Sequence, residues 1–338
     1  LEEFALVLIW LKFALCVLII FFSGRAVARY GDVIANKTGI GGMWVGVVLL
    51  AVVTSLPELF TGISAITIVG EPDLTVGDLF GANTFNLLNL ALLDIAFRNG
   101  VLPRVTSLGH RVTGWCSLSL VLVVAVSIFV SSPSSTLGIG RSWIGWYTPL
   151  LIILYIIFMS ILFRFERSHP SPQVPEPAYE DVSLKKVYVY FGIAAAFVIG
   201  AGIWLAMIGA EIAEVTNLGK SFVGSIFLAF TTSLPEITVS FTAAKMGAID
   251  MAVANMIGSN LFNITIISVD DLLYTKGPVL AHVSESHLIT ALVVILMTGL
   301  FIVGLHFKPR RFFRFSWWNC ALVVLFFTGA YFSYRGLP

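Results

Sequence analysis

Apolar residues in this chain come in long runs, without the one-face or alternating patterns of a water-soluble fold. Ten runs, approximately 4–30, 40–69, 74–97, 111–131, 143–163, 187–212, 219–245, 249–274, 286–306 and 317–334, are bounded by Gly, Pro or charged residues. A helix rises about 1.5 Å per residue, so about 20 apolar residues cross the hydrocarbon of a bilayer. The pattern predicts an all-α integral membrane protein with ten transmembrane helices. Its first run is too long for a cleaved signal peptide and is expected to be a true span. Only residues 164–186 interrupt the pattern as a long hydrophilic stretch. They carry Pro170, Pro172, Pro175 and Pro177 and read as a linker between two five-span halves, 1–163 and 187–338.

The halves repeat one another. Gly46 to Ala65 aligns with Gly224 to Ala243, so that Thr54-Ser-Leu-Pro-Glu58 stands opposite Thr232-Ser-Leu-Pro-Glu236. After a loop one residue different, Gly81-Ala-Asn-Thr-Phe-Asn86 stands opposite Gly258-Ser-Asn-Leu-Phe-Asn263. An odd number of spans per half makes the second half enter from the opposite side, which predicts inverted repeats. Lys and Arg then set the orientation: 15 fall on the side of the 1–2, 3–4, 5–6, 7–8 and 9–10 connections, against Arg141, Lys220, Lys276 and Arg335 on the other. By the positive-inside rule the linker and the Lys308–Arg314 cluster face the cytoplasm, and both termini are extracytoplasmic.

What matters chemically is the polar residues inside the runs. Pro57 and Pro235 cannot donate to the carbonyls of Val53 and Thr231, so each half is expected to carry a helix broken within the bilayer. Glu58 and Glu236 follow directly, and hydroxyls at Thr54, Ser55, Thr232 and Ser233 lie within a turn of the break. Hard cations such as Ca²⁺ and Na⁺ are held by oxygen, and Ca²⁺ takes about six to eight such ligands, usually including carboxylates. Asn86 and Asn263 are placed to turn amide oxygens toward the broken helices. Asn83 and Asn260 read either as ligands or as polar contacts between closely packed helices. Asp94, Asp270 and Asp271 read as a third acidic element or as interfacial carboxylates paired with Arg98 or Lys276. Asp78, opposite Asn255, reads as a cation-access residue or as a charge favoured at a helix N-terminus.

Composition narrows the classes further. With 58% hydrophobic and 12% charged residues among 338 and a net charge of +1, no basic block suggests nucleic acid. Cys16, Cys116 and Cys320 lack metal-ligand spacing, and the five histidines share no face. No phosphate-binding loop is present, so transport is expected to be secondary, without a resident cofactor.

The paired Ser-Leu-Pro-Glu and Gly-x-Asn-x-x-Asn motifs resemble those of the calcium/cation antiporters, which include the sodium/calcium exchangers. The family's two alpha repeats look like segments 42–97 and 220–274. By that resemblance Glu58 and Glu236 are the central cation ligands, flanked by Thr54, Ser55, Thr232 and Ser233. Asn86, Ser259 and Asn263 complete the site, and Ala51 and Ala229 supply backbone carbonyls. This chain departs from the pattern in three places. Ala82 replaces the first-repeat serine, Val53 and Thr231 stand where a glycine usually precedes the motif, and Asn263 stands where sodium/calcium exchangers often carry Asp.

The expectation is an antiporter exchanging Ca²⁺, or a related cation, for Na⁺ or H⁺ by alternating access, in a cell membrane. A cation-selective channel built on the same paired glutamates is the alternative; an intramembrane protease fits the hydroxyl neighbours less well. Two matched glutamates without a third aligned carboxylate predict a site of charge −2 and exchange closer to electroneutral than three sodium ions for one calcium. The oligomeric state is not indicated by the sequence.

Overall fold

The structure, a computed structural model, describes residues 2–97, 102–131, 143–168, 183–215, 222–310 and 315–335. Among them the secondary structure is helical, without a β-strand. The long helices are α1 (Glu2–Thr38), α2 (Gly42–Val69), α3 (Pro72–Ala96), α4 (Gly109–Ser131), α5 (Tyr147–Ser168), α6 (Leu184–Val215), α7 (222–245), α8 (Ile249–Leu273), α9 (His287–Phe307) and α10 (Trp317–Arg335). Eight of these are long and apolar enough to cross a membrane. The others are α7, which is interrupted at Ser233, and α10, whose apolar stretch Trp317–Phe332 is shorter.

Two expected boundaries move. α1 runs on to Thr38, beyond the expected end at 30, because its polar last turns still bury Val33, Ile34 and Ala35 against the start of α2. The hydrophilic stretch is shorter than 164–186, since α5 continues to Ser168 and α6 begins at Leu184. Its prolines at 170, 172, 175 and 177 lie outside the described residues, as do Arg141, Lys220 and Arg98.

Both broken helices break where the prolines require it. The helices are interrupted by a turn at Ser55 (φ −93°, ψ 7°) and at Ser233 (φ −80°, ψ 0°), and the next segment restarts with proline in its first turn, where a missing N–H is harmless. α2 also carries two wide π turns, Val45–Leu50 and Ala65–Val69, one on either side of its break. Such turns loosen the regular ladder and are frequent at functional positions.

The centre is α3 crossing α8 in antiparallel sense. Each is wrapped by the last two helices of the opposite half: α9 and α10 lie on α3, and α4 and α5 lie on α8. The broken helices thread between through paired glycine contacts. A Cβ on Gly81 of α3 would come within 2.7 Å of Ala229 Cβ of α7, and one on Gly258 of α8 within 3.0 Å of Ala51 Cβ of α2. Only glycine lets these backbones approach so closely. α1 and α6 run side by side and share a small apolar core of their own, including Ile9, Cys16, Ile20, Leu205 and Ile208, separate from the main core.

The far ends of α3 and α8 are tied down by matching carboxylates. Asp94 accepts from the Leu102 N–H at 2.6 Å and from Asn319 Nδ2 at the start of α10 at 2.7 Å. Asp271 accepts from the N–H groups of Val279 and Gly145 and from Tyr147 and Thr148 at the start of α5. Both are fully buried. Their role is therefore to clamp the loop eight residues downstream to the N-terminus of a neighbouring helix. The expected interfacial pairing of Asp271 with Lys276 is not what the structure shows.

Candidate cation site

The two breaks face each other across the α3–α8 crossing. Ser55, Glu58, Thr54, Thr232, Ser233, Glu236, Asn86, Ser259 and Asn263 are all buried. They are not scattered core polars, for they bond from one half to the other. Ser55 Oγ donates to Glu236 Oε1 at 3.0 Å, and Ser259 Oγ reaches the same oxygen at 3.4 Å. Thr54 Oγ1 lies 3.3 Å from Ser259 Oγ.

Four asparagines form a closed exchange at the crossing. Asn83 Nδ2 donates to the Asn260 carbonyl at 3.4 Å, and Asn260 Nδ2 to the Asn83 carbonyl at 3.2 Å. Asn86 Nδ2 donates to Asn260 Oδ1 at 3.0 Å, and Asn263 Nδ2 to Asn83 Oδ1 at 3.1 Å. Asn83 and Asn260 thus act as anchors, and the amides that they hold leave Asn86 Oδ1 and Asn263 Oδ1 without donors.

Several other buried oxygens are also unmet: both of Glu58, Oε2 of Glu236, Oγ of Ser233 and Oδ2 of Asp78. Buried polar groups are ordinarily paired, and a buried carboxylate lacking both donor and counter-charge is expensive. Among the described residues no basic side chain bridges to Glu58 or Glu236. The donor types, mostly neutral oxygens around carboxylates, are those that hold hard cations such as Ca²⁺ or Na⁺ rather than softer metals. No group of three or more His, Cys, Asp or Glu side chains forms a metal cluster among the described residues.

The two glutamates are not equivalent. Glu236 is met by hydroxyls from Ser55 and Ser259; the matching positions for Glu58 are Ser233, whose hydroxyl is unmet, and Ala82, which has none. The serine-to-alanine departure therefore removes from beside Glu58 a hydroxyl of the kind that reaches Glu236. Ala51 and Ala229 are placed beside the breaks, but each carbonyl already accepts from a backbone N–H and lies within reach of a threonine hydroxyl whose single proton is shared with Asn255 Oδ1 or Asp78 Oδ1. Ser55 N and Thr54 Oγ1 meet Ala51 O at 3.0 and 3.3 Å, and Ser233 N and Thr232 Oγ1 both meet Ala229 O at 3.2 Å. To ligate a cation they would first shed the threonine.

Asp78 belongs to this neighbourhood, since Thr232 Oγ1 donates to its Oδ1 at 3.3 Å. The expected count of two carboxylates holds only for the aligned motif positions. Asp94 and Asp271 stand apart as clamps. The one signal of Asp78 in the sequence was its mismatch with Asn255. A crevice of about 380 Å³ between α3, α9 and α10, lined in part by Asp73, Gly77, Thr84 and His287, contains none of the expected site residues.

Comparison with known proteins agrees with this geometry. The family described as "Sodium/calcium exchanger protein" matches residues 8–164 and 186–334, and the chain belongs to that family. It is 25% identical over 325 residues to the putative antiporter CaxA of Alkalimonas amylolytica, covering 92% of this chain and 93% of that one. To the inner membrane protein YrbG of Escherichia coli it is 27% identical over 271 residues, 78% of each. Its fold matches the sodium-calcium exchanger NCX_Mj, soaked with Na⁺ and Ca²⁺, with a TM-score of 0.72 at 21% identity over 98% of this chain and 99% of that one. The protein is a membrane antiporter of the sodium/calcium exchanger family.

Proposed function

We propose that this antiporter exchanges Ca²⁺, or a related cation, for Na⁺ or H⁺ by alternating access, with Glu58 and Glu236 as central ligands. The observation that carries this reading is the set of buried, donorless oxygens contributed by both halves around those glutamates. Thr54, Ser55, Thr232, Ser233, Ser259, Asn86 and Asn263 complete the coordination, and Ala51 and Ala229 join it if their threonines turn away. Ten spans arranged as inverted repeats, 1–163 and 187–338, with both termini extracytoplasmic, are the architecture that this reading requires. The reciprocal asparagine bonds and the matched Asp94 and Asp271 clamps support a two-fold relation between the halves.

Obligatory exchange follows from electrostatics. A charged, unliganded site moving through low dielectric is costly, whereas one neutralised by a divalent ion or its competitors is not. The test is flux in proteoliposomes with Ca²⁺, Na⁺, K⁺ and pH gradients imposed one at a time. Saturable Ca²⁺ movement that requires a trans cation is expected. Ca²⁺ movement independent of any trans ion would instead support the channel.

A further inference from the structure

One helical turn beyond Glu58 on α2 is Gly62, about 6 Å along the axis toward the face where α2 ends and α3 begins. A Cβ on Gly62 would lie 2.7 Å from Thr75 Oγ1 and 2.8 Å from Asp270 Oδ2, so these two groups occupy the space that a side chain would take. Thr75 donates to Asp270 Oδ2 at 2.7 Å. Asp78 lies one turn along α3 from Thr75, on the same helix face. Thr75, Asp78 and Asp270 are all buried; Asp270 Oδ1 and Asp78 Oδ2 have no hydrogen-bond donor, and no basic side chain bridges to either carboxylate among the described residues.

The repeat shows what a purely structural arrangement looks like at the same place. The positions equivalent to Gly62, Thr75, Asp78 and Asp270 are Ser240, Ala252, Asn255 and Leu93. There the Asn255 amide donates to Ser240 Oγ at 2.9 Å and to the Glu236 carbonyl at 3.5 Å, while its oxygen accepts from Thr54. That side is neutral and closed. On the Asp78 side the threonine bond survives, but the serine has become glycine, the amide a carboxylate and the leucine a second carboxylate. Helix packing does not call for two buried acids with bare oxygens when the neutral solution stands in the other half of the same chain. A positive ion between them satisfies both.

We infer that Asp78 and Asp270, with the Thr75 hydroxyl, form a cation subsite one turn from Glu58 on the face where α2 meets α3, and that the opposite face has no counterpart. The inference deepens the exchanger reading and rests on it for the subsite's role, which is to hold a cation in passage to or from the central glutamates on one side only. Its occupant is a hard cation, Ca²⁺ or Na⁺, because the ligands are carboxylate and hydroxyl oxygens.

The subsite is tested by equilibrium binding of radioactive Ca²⁺ to the purified full-length protein in detergent. In the Glu58→Gln/Glu236→Gln variant, Ca²⁺ binding is expected to persist at one class of site, to be competed by Na⁺, and to be lost when Asp270→Asn is added. Asp78→Asn is made in parallel, so that a folding failure in one variant, read by size-exclusion profile, leaves the other to decide. Absence of Ca²⁺ binding in the glutamate double variant overturns the subsite, and so does binding that survives both aspartate substitutions. Flux by the unmodified protein is a separate measurement: if it fails while Asp270-dependent binding persists, the exchanger reading falls and the subsite stands.

Discussion

At the α3–α8 crossing the two halves are interchangeable, with Asn83 doing for Asn263 what Asn260 does for Asn86. One turn away they have diverged, and Gly62, Asp78 and Asp270 stand where Ser240, Asn255 and Leu93 do in the other half. The contrast has a physical origin. Residues that bond their own symmetry mates are held alike by each other, because a change in one strands a buried donor or acceptor in its partner. Residues at opposite ends of the crossing meet different partners, and nothing in the duplication keeps them the same.

The strongest test of the shared centre is neutralisation of its carboxylates. Glu58→Gln or Glu236→Gln is expected to lower exchange by about 100-fold or more, since even outer-shell changes at metal sites weaken affinity by about 10- to 100-fold. The folded protein should remain monodisperse; near-normal flux in either purified variant would remove these residues from the site. Asp271→Ala should do the reverse. It strips an acceptor from four donors at the end of α8, and with hydrogen bonds to charged groups worth about 1.5–3 kcal/mol each, thermal stability in detergent should fall steeply. The affinity for Ca²⁺ of whatever remains folded should be little changed, and a selective loss of affinity with normal stability would show that Asp271 reaches the site after all.

A smaller effect is expected from Asn83→Leu. It leaves the buried Asn263 amide without its acceptor, a loss of about 1–3 kcal/mol, and frees Asn263 to rotate its oxygen out of the site. Asn260→Leu should match it in both stability and cation affinity if the centre is symmetric, and a clear inequality between the two would break the comparison. Least disruptive is Gly62→Ala. The new methyl displaces the flexible ends of Thr75 and Asp270 rather than backbone, so a destabilisation of about 1–3 kcal/mol is the upper range. The mirror change, Ser240→Gly, takes an acceptor from the buried Asn255 amide, a loss of about 1–3 kcal/mol, and serves as its comparison by melting temperature.

Most of the architecture was legible because the apolar runs, the two proline breaks and the repeated motifs are local signals. That Glu58, Glu236, Ser55, Ser259, Asn86 and Asn263 are buried was legible from the apolar runs that hold them. What stayed hidden depends on contacts between the halves. An internal alignment pairs Asp78 with Asn255, but the neighbour of Asp78 is Asp270, and only the antiparallel crossing of α3 and α8 brings the start of one helix to the end of the other. The clamps at Asp94 and Asp271 were missed for a similar reason. Their partners are backbone N–H groups of loops, and a sequence does not show which carboxylate a loop will wrap.

The asparagine quartet also constrains which substitutions this chain can accept next. An asparagine at 263 is a donor to Asn83 through its amide and offers its oxygen to the site, whereas an aspartate there is an acceptor only. Introduced alone, Asn263→Asp would set a carboxylate against Asn83 Oδ1 at about the same 3.1 Å, acceptor against acceptor, inside a closed ring. Turning the Asn83 amide would repair that contact but withdraw its N–H from the Asn260 carbonyl. A third carboxylate at this position thus requires the ring to rearrange, with Asn83 turning its N–H toward residue 263 and giving up the Asn260 carbonyl.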